Sequence, residues 1–137
     1  MNKHLVFVYG TLRRGGLRAM PMIFPAATFI DTATVQGRLY DFGTYPGLLL
    51  DESNSSVVGE VYEVDDETLN KLDAIEADSH YWRKQVELSV GGRRQIGWVY
   101  VYNPQFYSRL ILIESGDWIE YAKTKTDWPP DTWPDET

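Results

Sequence analysis

Glu76 stands in the stretch Leu72-Asp73-Ala74-Ile75-Glu76, four positions after Leu72 and seven after Leu69. On a 3.6-residue repeat those three side chains share a face, so a helix that buries the two leucines also carries a carboxylate toward the core. A carboxylate there costs energy unless it is hydrogen-bonded, paired or lining a cavity. Burial also raises a carboxyl pKa, which suits a group that must take and return protons near neutral pH. Read alone, Glu76 is a residue that ends its helix and points to water. The residues that follow favour a pocket instead. Ser79-His80-Tyr81-Trp82-Arg83 leads into a strand whose alternation puts Tyr81 and Arg83 on one side and Trp82 on the other. A tyrosine hydroxyl and an arginine fork beside an inward-facing glutamate make a polar site.

A second stretch with chemical potential opens the chain. Phe7-Val8-Tyr9-Gly10-Thr11-Leu12 is followed at once by Arg13-Arg14-Gly15-Gly16. A phosphate loop requires Gly-x-x-x-x-Gly-Lys-Ser/Thr, and no lysine follows Gly15 or Gly16. The spacing of Gly10, Gly15 and Gly16 does not make a dinucleotide fingerprint either. What remains is a glycine that lets the backbone turn tightly and leaves neighbouring amides free to grip a carboxylate or another anion. On these residues alone, an ordinary strand-ending turn accounts for them equally well. Arg13, Arg14 and Arg18 form a basic cluster that either steers an anion inward or keeps the turn soluble. Arg93-Arg94 reads as solvated loop charge. His80 has no partner at metal-ligand spacing, no Gly-x-Ser-x-Gly elbow is present, and no Ser/His/Asp triad is suggested.

The elements that must position these groups are mostly strands. Period-two alternation predicts strands near Leu5–Tyr9, Thr32–Tyr40, Val57–Val64, Trp82–Val90 and Gln95–Asn103. Gly91-Gly92 joins the last two as a hairpin. In the third strand Val58, Glu60, Tyr62 and Val64 share one face, opposite Val57, Gly59, Val61 and Glu63. If that strand belongs to a closed barrel, either Glu60 or Glu63 faces inward, which makes both alternative acid/base candidates. Asp65-Asp66-Glu67 supplies a cap and an acidic first turn for the helix that carries Glu76. On that helix Asp73 and Glu67 are expected at the surface. A second helix is expected from Ser115-Gly116-Asp117 through Trp118, Ile119 and Tyr121. Residues 1–126 are read as one domain and residues 127–137 as an acidic, proline-rich tail. Many strands with one strong helix argue for an α+β fold, a small mixed β-barrel with flanking helices.

Composition narrows the function classes. The chain has 137 residues, 43% hydrophobic, enough for one core and too apolar for a disordered segment. A net charge of −7 counts against nucleic acid as a partner. Its apolar runs are too short for a membrane span, and the first residues lack the pattern of a signal peptide. Without cysteine there is no disulfide, thiol nucleophile or Cys-based zinc site. A cytoplasmic protein without cofactor or metal is the expectation, with oligomeric state left open.

Several short motifs in order resemble one family. Tyr9-Gly10-Thr11-Leu12-Arg13, Tyr45-Pro46-Gly47, Leu72-Asp73-Ala74-Ile75-Glu76, Tyr81-Trp82-Arg83, Val99-Tyr100-Val101-Tyr102 and Ser115-Gly116-Asp117-Trp118 together resemble the gamma-glutamylcyclotransferase-like superfamily. The likeness spans about residues 4–122 and is nearest the gamma-glutamylaminecyclotransferase and AIG2-like branch. It implies a small barrel with flanking helices and a cavity between loop and barrel. It implies further that Tyr9, Gly10, Thr11 and Leu12 form a substrate loop and that Glu76 is the acid/base. Tyr81 and Tyr102 are candidate hydroxyl donors to the substrate, although a barrel aromatic is more often simply core. The implied reaction releases 5-oxoproline and a free amine from a small gamma-glutamyl substrate and requires no metal or nucleotide. The family often has glycine directly after the helix glutamate, where this chain has Ala77. Other readings are a non-catalytic barrel that binds small ligands, a module whose Trp-Pro tail docks a partner, and a different acyl or amine transfer in the same cavity.

Overall fold

Alternating apolar residues in a strand can bury both faces only if something covers each side, and here two different coverings do so. In the computed structural model, which describes residues 3–10, 12–13, 20–42, 46–50, 55–78, 81–102 and 111–124, the elements are eight strands and three helices. They run β1 (Lys3–Val8), α1 (Met20–Ile23), β2 (Thr28–Gln36), β3 (Arg38–Asp41), β4 (Pro46–Leu49), β5 (Ser56–Asp65), α2 (Asp66–Asp78), β6 (Tyr81–Val90), β7 (Arg93–Tyr102), β8 (Ile111–Ile113) and α3 (Trp118–Ala122). Five strands close a barrel in the order β1-β5-β2-β6-β7, and β4-β3-β8 form a separate sheet. Neighbouring barrel strands are antiparallel except at the closure, where β1 runs parallel to β7 through Val6↔Trp98 and Phe7↔Val99.

One set of alternate residues fills the barrel. Phe7, Val35, Val57, Val61, Leu88 and Val99 belong to a single buried cluster drawn from all five barrel strands. Leu39, Leu48, Ile113 and Trp118 extend that cluster into the small sheet and α3. The opposite set faces outward but is also buried. Val6, Val8, Tyr62, Val64, Tyr100 and Tyr102 pack with Leu69 and Leu72 of α2 and with Met20 of α1. The fold is therefore layered: a filled barrel, with a second apolar layer between its outer wall and the helices.

The expected strands correspond to β1, β2 with β3, β5, β6 and β7, with one break. The run expected over Thr32–Tyr40 divides at Gly37, so that β2 pairs with β5 and β6 while β3 joins the small sheet. The elements α1, β4 and β8, four residues or fewer each, carry too little periodicity to read from the sequence. The hairpin is as expected: Val90 pairs with Arg93, and the two loop glycines have φ of 56° and 80°. A two-residue loop of this hand needs positive φ at both positions, which two glycines supply without strain. The acidic tail, residues 127–137, lies outside the described residues.

Gly59 sits on the inner face of β5, where an added Cβ would lie 2.3 Å from the Val8 carbonyl oxygen and 2.6 Å from the Phe7 ring. Backbone cannot yield as a flexible side chain can, so Gly59→Val is expected to destabilise the protein by about 3 kcal/mol or more, measured by urea unfolding. At the start of α2 the Asp65 carboxylate accepts the Thr68 backbone N–H at 2.9 Å, and this bond, with that of the Thr68 hydroxyl, holds its pKa below the ordinary aspartate value. A lowered folded pKa contributes stability above the unfolded value, about 3.9, and the contribution is lost as pH falls through the lower folded value. Asp65→Asn keeps an acceptor but cannot titrate. Thermal melts at about pH 5 and about pH 2 should therefore show a smaller acid-induced drop in Tm for the variant than for wild type.

Candidate active site

The strand-ending turn after β1 is anchored at each described position. Tyr9 is buried, its ring lies 6.3 Å from that of Phe7, and its hydroxyl donates to the Tyr100 carbonyl at 2.5 Å. A Cβ on Gly10 would meet the Pro46 ring at 2.8 Å, so glycine allows the loop to lie directly on β4. Arg13 N–H donates to the Gly10 carbonyl at 3.1 Å, and Met20 N–H donates to the Leu12 carbonyl at 2.8 Å. Leu12 is buried in the cluster that also holds Leu72, Tyr81 and Tyr102. Thr11, expected in the same loop, lies outside the described residues.

Arg13 is the one member of the basic cluster among the described residues, and it is internal. Its Nη1 donates to Asp117 Oδ1 at 2.7 Å, and its Nε lies 3.7 Å from Glu60 Oε2. Asp117 also caps α3 by accepting the Glu120 N–H at 3.2 Å, and Glu60 accepts the Tyr62 hydroxyl at 3.2 Å. One guanidinium thus ties the loop to β5 and to α3. Arg14 and Arg18 lie outside the described residues.

Glu76 is buried, only 4% exposed, and shares its helix face with Leu69 and Leu72. The expected buried face is present: α2 packs Leu69 and Leu72 on the outer wall of the barrel, so the core that the Glu76 face meets is the layer between helix and wall. Glu60 is likewise buried at 4%, on the helix-covered face with Tyr62 and Val64, where Arg13 neutralises it. Glu63 has the inner-face parity but is only half-buried near the end of β5. Of the two alternative carboxylates, Glu60 thus belongs to the helix-covered wall, and Glu63, of inner parity, sits half-buried near the strand end.

Asp73 is a correction. Expected at the surface, it is half-buried and accepts the Tyr100 hydroxyl at 2.6 Å. Arg83 Nη1 lies 3.3 Å from its other oxygen, and the Arg83 guanidinium stands 4.2 Å over the Trp98 ring. Burial pushes the Tyr100 hydroxyl well above the usual tyrosine range; the hydrogen bond to Asp73 and the charges of Asp73 and Glu76 add to this, and Arg83 opposes it. Tyr100 is consequently a fixed donor to Asp73. Two sequence signals pointed here. Asp73 is three positions before Glu76 and so neighbours it on the helix, and the Trp98-Val99-Tyr100-Val101-Tyr102 alternation puts Tyr100 beside Tyr102.

Tyr81 and Tyr102 are paired across β6 and β7, both buried, with rings 5.2 Å apart edge to face. The Tyr102 ring also lies 4.5 Å from Phe42, and the Tyr81 hydroxyl donates to the Pro46 carbonyl. They form an aromatic wall beside the loop. A cleft of about 130 Å³ lined by Leu48, Leu49, Leu50, Trp82, Lys84, Val101 and Tyr102 touches this wall only through Tyr102 among the expected site residues. Among the described residues no cluster of His, Asp and Glu could hold a metal ion.

A family model described as gamma-glutamyl cyclotransferase, AIG2-like, matches residues 6–120. The gamma-L-glutamyl-butirosin B gamma-glutamyl cyclotransferase of Niallia circulans is 38% identical over 125 residues, covering 85% of this chain and 76% of that protein. The gamma-glutamylcyclotransferase family protein YtfP of Escherichia coli K12 is 36% identical over 121 residues, covering 86% and 98%. A mouse AIG2-like protein of known crystal structure superimposes with a TM-score of 0.70 at 29% identity, covering 85% of this chain and 90% of that one. On the extent of the family match and the identity to these relatives, the chain belongs to the AIG2-like gamma-glutamyl cyclotransferase family.

Proposed function

We propose that this protein converts a gamma-glutamyl amine or gamma-glutamyl amino acid into 5-oxoproline and a free amine, with Glu76 as general acid/base. The observation that carries the reading is a carboxylate only 4% exposed, in the layer that also holds Leu12 of the loop and the Tyr81–Tyr102 wall. Family membership and the activity named for the Niallia circulans relative support the reaction class.

The chemistry is intramolecular. The substrate's alpha-nitrogen attacks its own gamma-carbonyl, a lactam C–N bond forms, and the original amide C–N bond breaks. The attacking nitrogen passes from ammonium to lactam N–H and loses two protons. A primary leaving nitrogen passes from amide N–H to ammonium and gains two. One carboxylate that takes and returns protons therefore ends each cycle as it began. Holding the folded-back conformer is the other requirement, and it falls to the loop at Tyr9, Gly10, Thr11 and Leu12. Loop amides would hold the alpha-carboxylate or the oxyanion formed at the attacked carbonyl. Tyr81 and Tyr102 would bound the substrate as an apolar wall, since the Tyr81 hydroxyl already serves Pro46.

Glu76→Gln is expected to lower kcat by roughly a hundredfold or more while Tm stays within a few degrees of wild type. Retention of most of the 5-oxoproline release would exclude the shuttle. For the substrate, gamma-glutamyl-alanine, epsilon-(gamma-glutamyl)-lysine and gamma-L-glutamyl-butirosin B should be compared by 5-oxoproline release. At least one is expected to be turned over, and failure of all three while 5-oxoproline still binds by calorimetry would favour a ligand-binding barrel of the same fold.

A further inference from the structure

We propose that Tyr100 and Asp73 are positioning residues that fix the aim of Glu76 relative to the Tyr9–Leu12 loop. The proposal rests on the reading of Glu76 as the acid/base and adds what holds it in place. Tyr100 is bonded on both sides. Its carbonyl takes the Tyr9 hydroxyl at 2.5 Å, and its own hydroxyl donates to Asp73 Oδ1 at 2.6 Å. A single residue of β7 therefore connects the first residue of the loop to the helix that carries the glutamate. Asp73 and Glu76 are i, i+3 neighbours, so their side chains rise from the same face of α2.

The bond reaches α2 near the end that carries Glu76. The helix stops at Asp78, two residues beyond Glu76, and has no basic residue in its last turn to offset the negative end of its dipole. Helix ends fray, so a contact one turn before the end limits how far the last turn can depart from the wall. The bond from Tyr100 holds the helix one turn earlier, and it spans elements that are 27 residues apart in the chain. Arg83, stacked over Trp98, pairs with the second Asp73 oxygen and keeps the carboxylate turned toward β7. The two supports come from adjacent strands, β6 and β7, so the helix is referenced to the barrel wall and not to a loop.

The test uses Tyr100→Phe, which removes only the hydroxyl, with Asp73→Ala and Asp73→Asn. Asp73→Asn leaves an oxygen for Tyr100 while removing the charge that faces Arg83. Each is assayed for 5-oxoproline release from whichever gamma-glutamyl compound wild type turns over, and for amide hydrogen exchange across residues 72–78. Tyr100→Phe and Asp73→Ala are expected to lower kcat roughly ten- to a hundredfold with KM changed by less than about twofold, because misaim of the proton shuttle affects the chemical step and not binding. Exchange over residues 74–78 should quicken in both, and Asp73→Asn should recover most of the rate. Unchanged kcat, a raised KM at unchanged kcat, or unchanged exchange in Tyr100→Phe would each overturn the proposal. If wild type releases no 5-oxoproline, the proposed reaction fails by itself. The exchange measurement then still decides whether the Tyr100–Asp73 bond secures the end of α2.

Discussion

Closure of the barrel by the parallel pairing of β1 with β7 is the constraint on which the rest depends. The pairs Val6↔Trp98 and Phe7↔Val99 bring the first strand of the chain against the last barrel strand. Parallel neighbours cannot be joined by a tight turn, so the intervening chain must travel around the barrel before it returns. Once they pair, the residues just beyond are carried alongside each other, and Tyr9 reaches the Tyr100 carbonyl. The turn at Gly10 is then held over β4, with the Tyr81–Tyr102 pair nearby. Without that closure the loop and the helix glutamate would have no common frame.

The same closure explains why both faces of the wall are apolar. The barrel interior takes one set of alternate residues, and the helices α1 and α2 cover the other over β1, β5 and β7. A carboxylate in either layer needs an answer, and the structure provides specific ones. Glu60 meets Arg13 and Tyr62, Asp41 accepts the Tyr121 hydroxyl at 2.6 Å, and Asp73 accepts the Tyr100 hydroxyl. In the Arg13–Glu60 pair, removal of one partner would leave the other charge desolvated, so that link fixes geometry more than it adds stability. In that sense Arg13 is part of the scaffold: it joins the loop to β5 and to the cap of α3.

Much of the fold was legible in the chain. The strands of the barrel showed period-two alternation, the Gly91-Gly92 hairpin announced its turn, and Asp65-Asp66-Glu67 announced the start of α2. These signals are local: each depends on residues within a few positions of one another, where propensity and capping act. The short elements α1, β4 and β8 were not legible, since three or four residues have no period to show and owe their form to what they pack on. The division of β2 from β3 at Gly37 was hidden for a related reason, because alternation continues across the break while the pairing partners change.

By itself the sequence determined which side chains share a face. Glu76 goes with Leu69 and Leu72, Glu60 with Tyr62 and Val64, and Tyr100 with Tyr102, and the backbone period settles each of these. Only the tertiary structure decided what each face meets. It made the core that the Glu76 face meets the layer between helix and wall, turned the supposedly exposed Asp73 onto Tyr100, and assigned Arg13 to Glu60 and Asp117. Those partners lie from 27 to 104 residues apart in the chain. No local period encodes such a meeting; it follows from strand order and from which helix covers which wall.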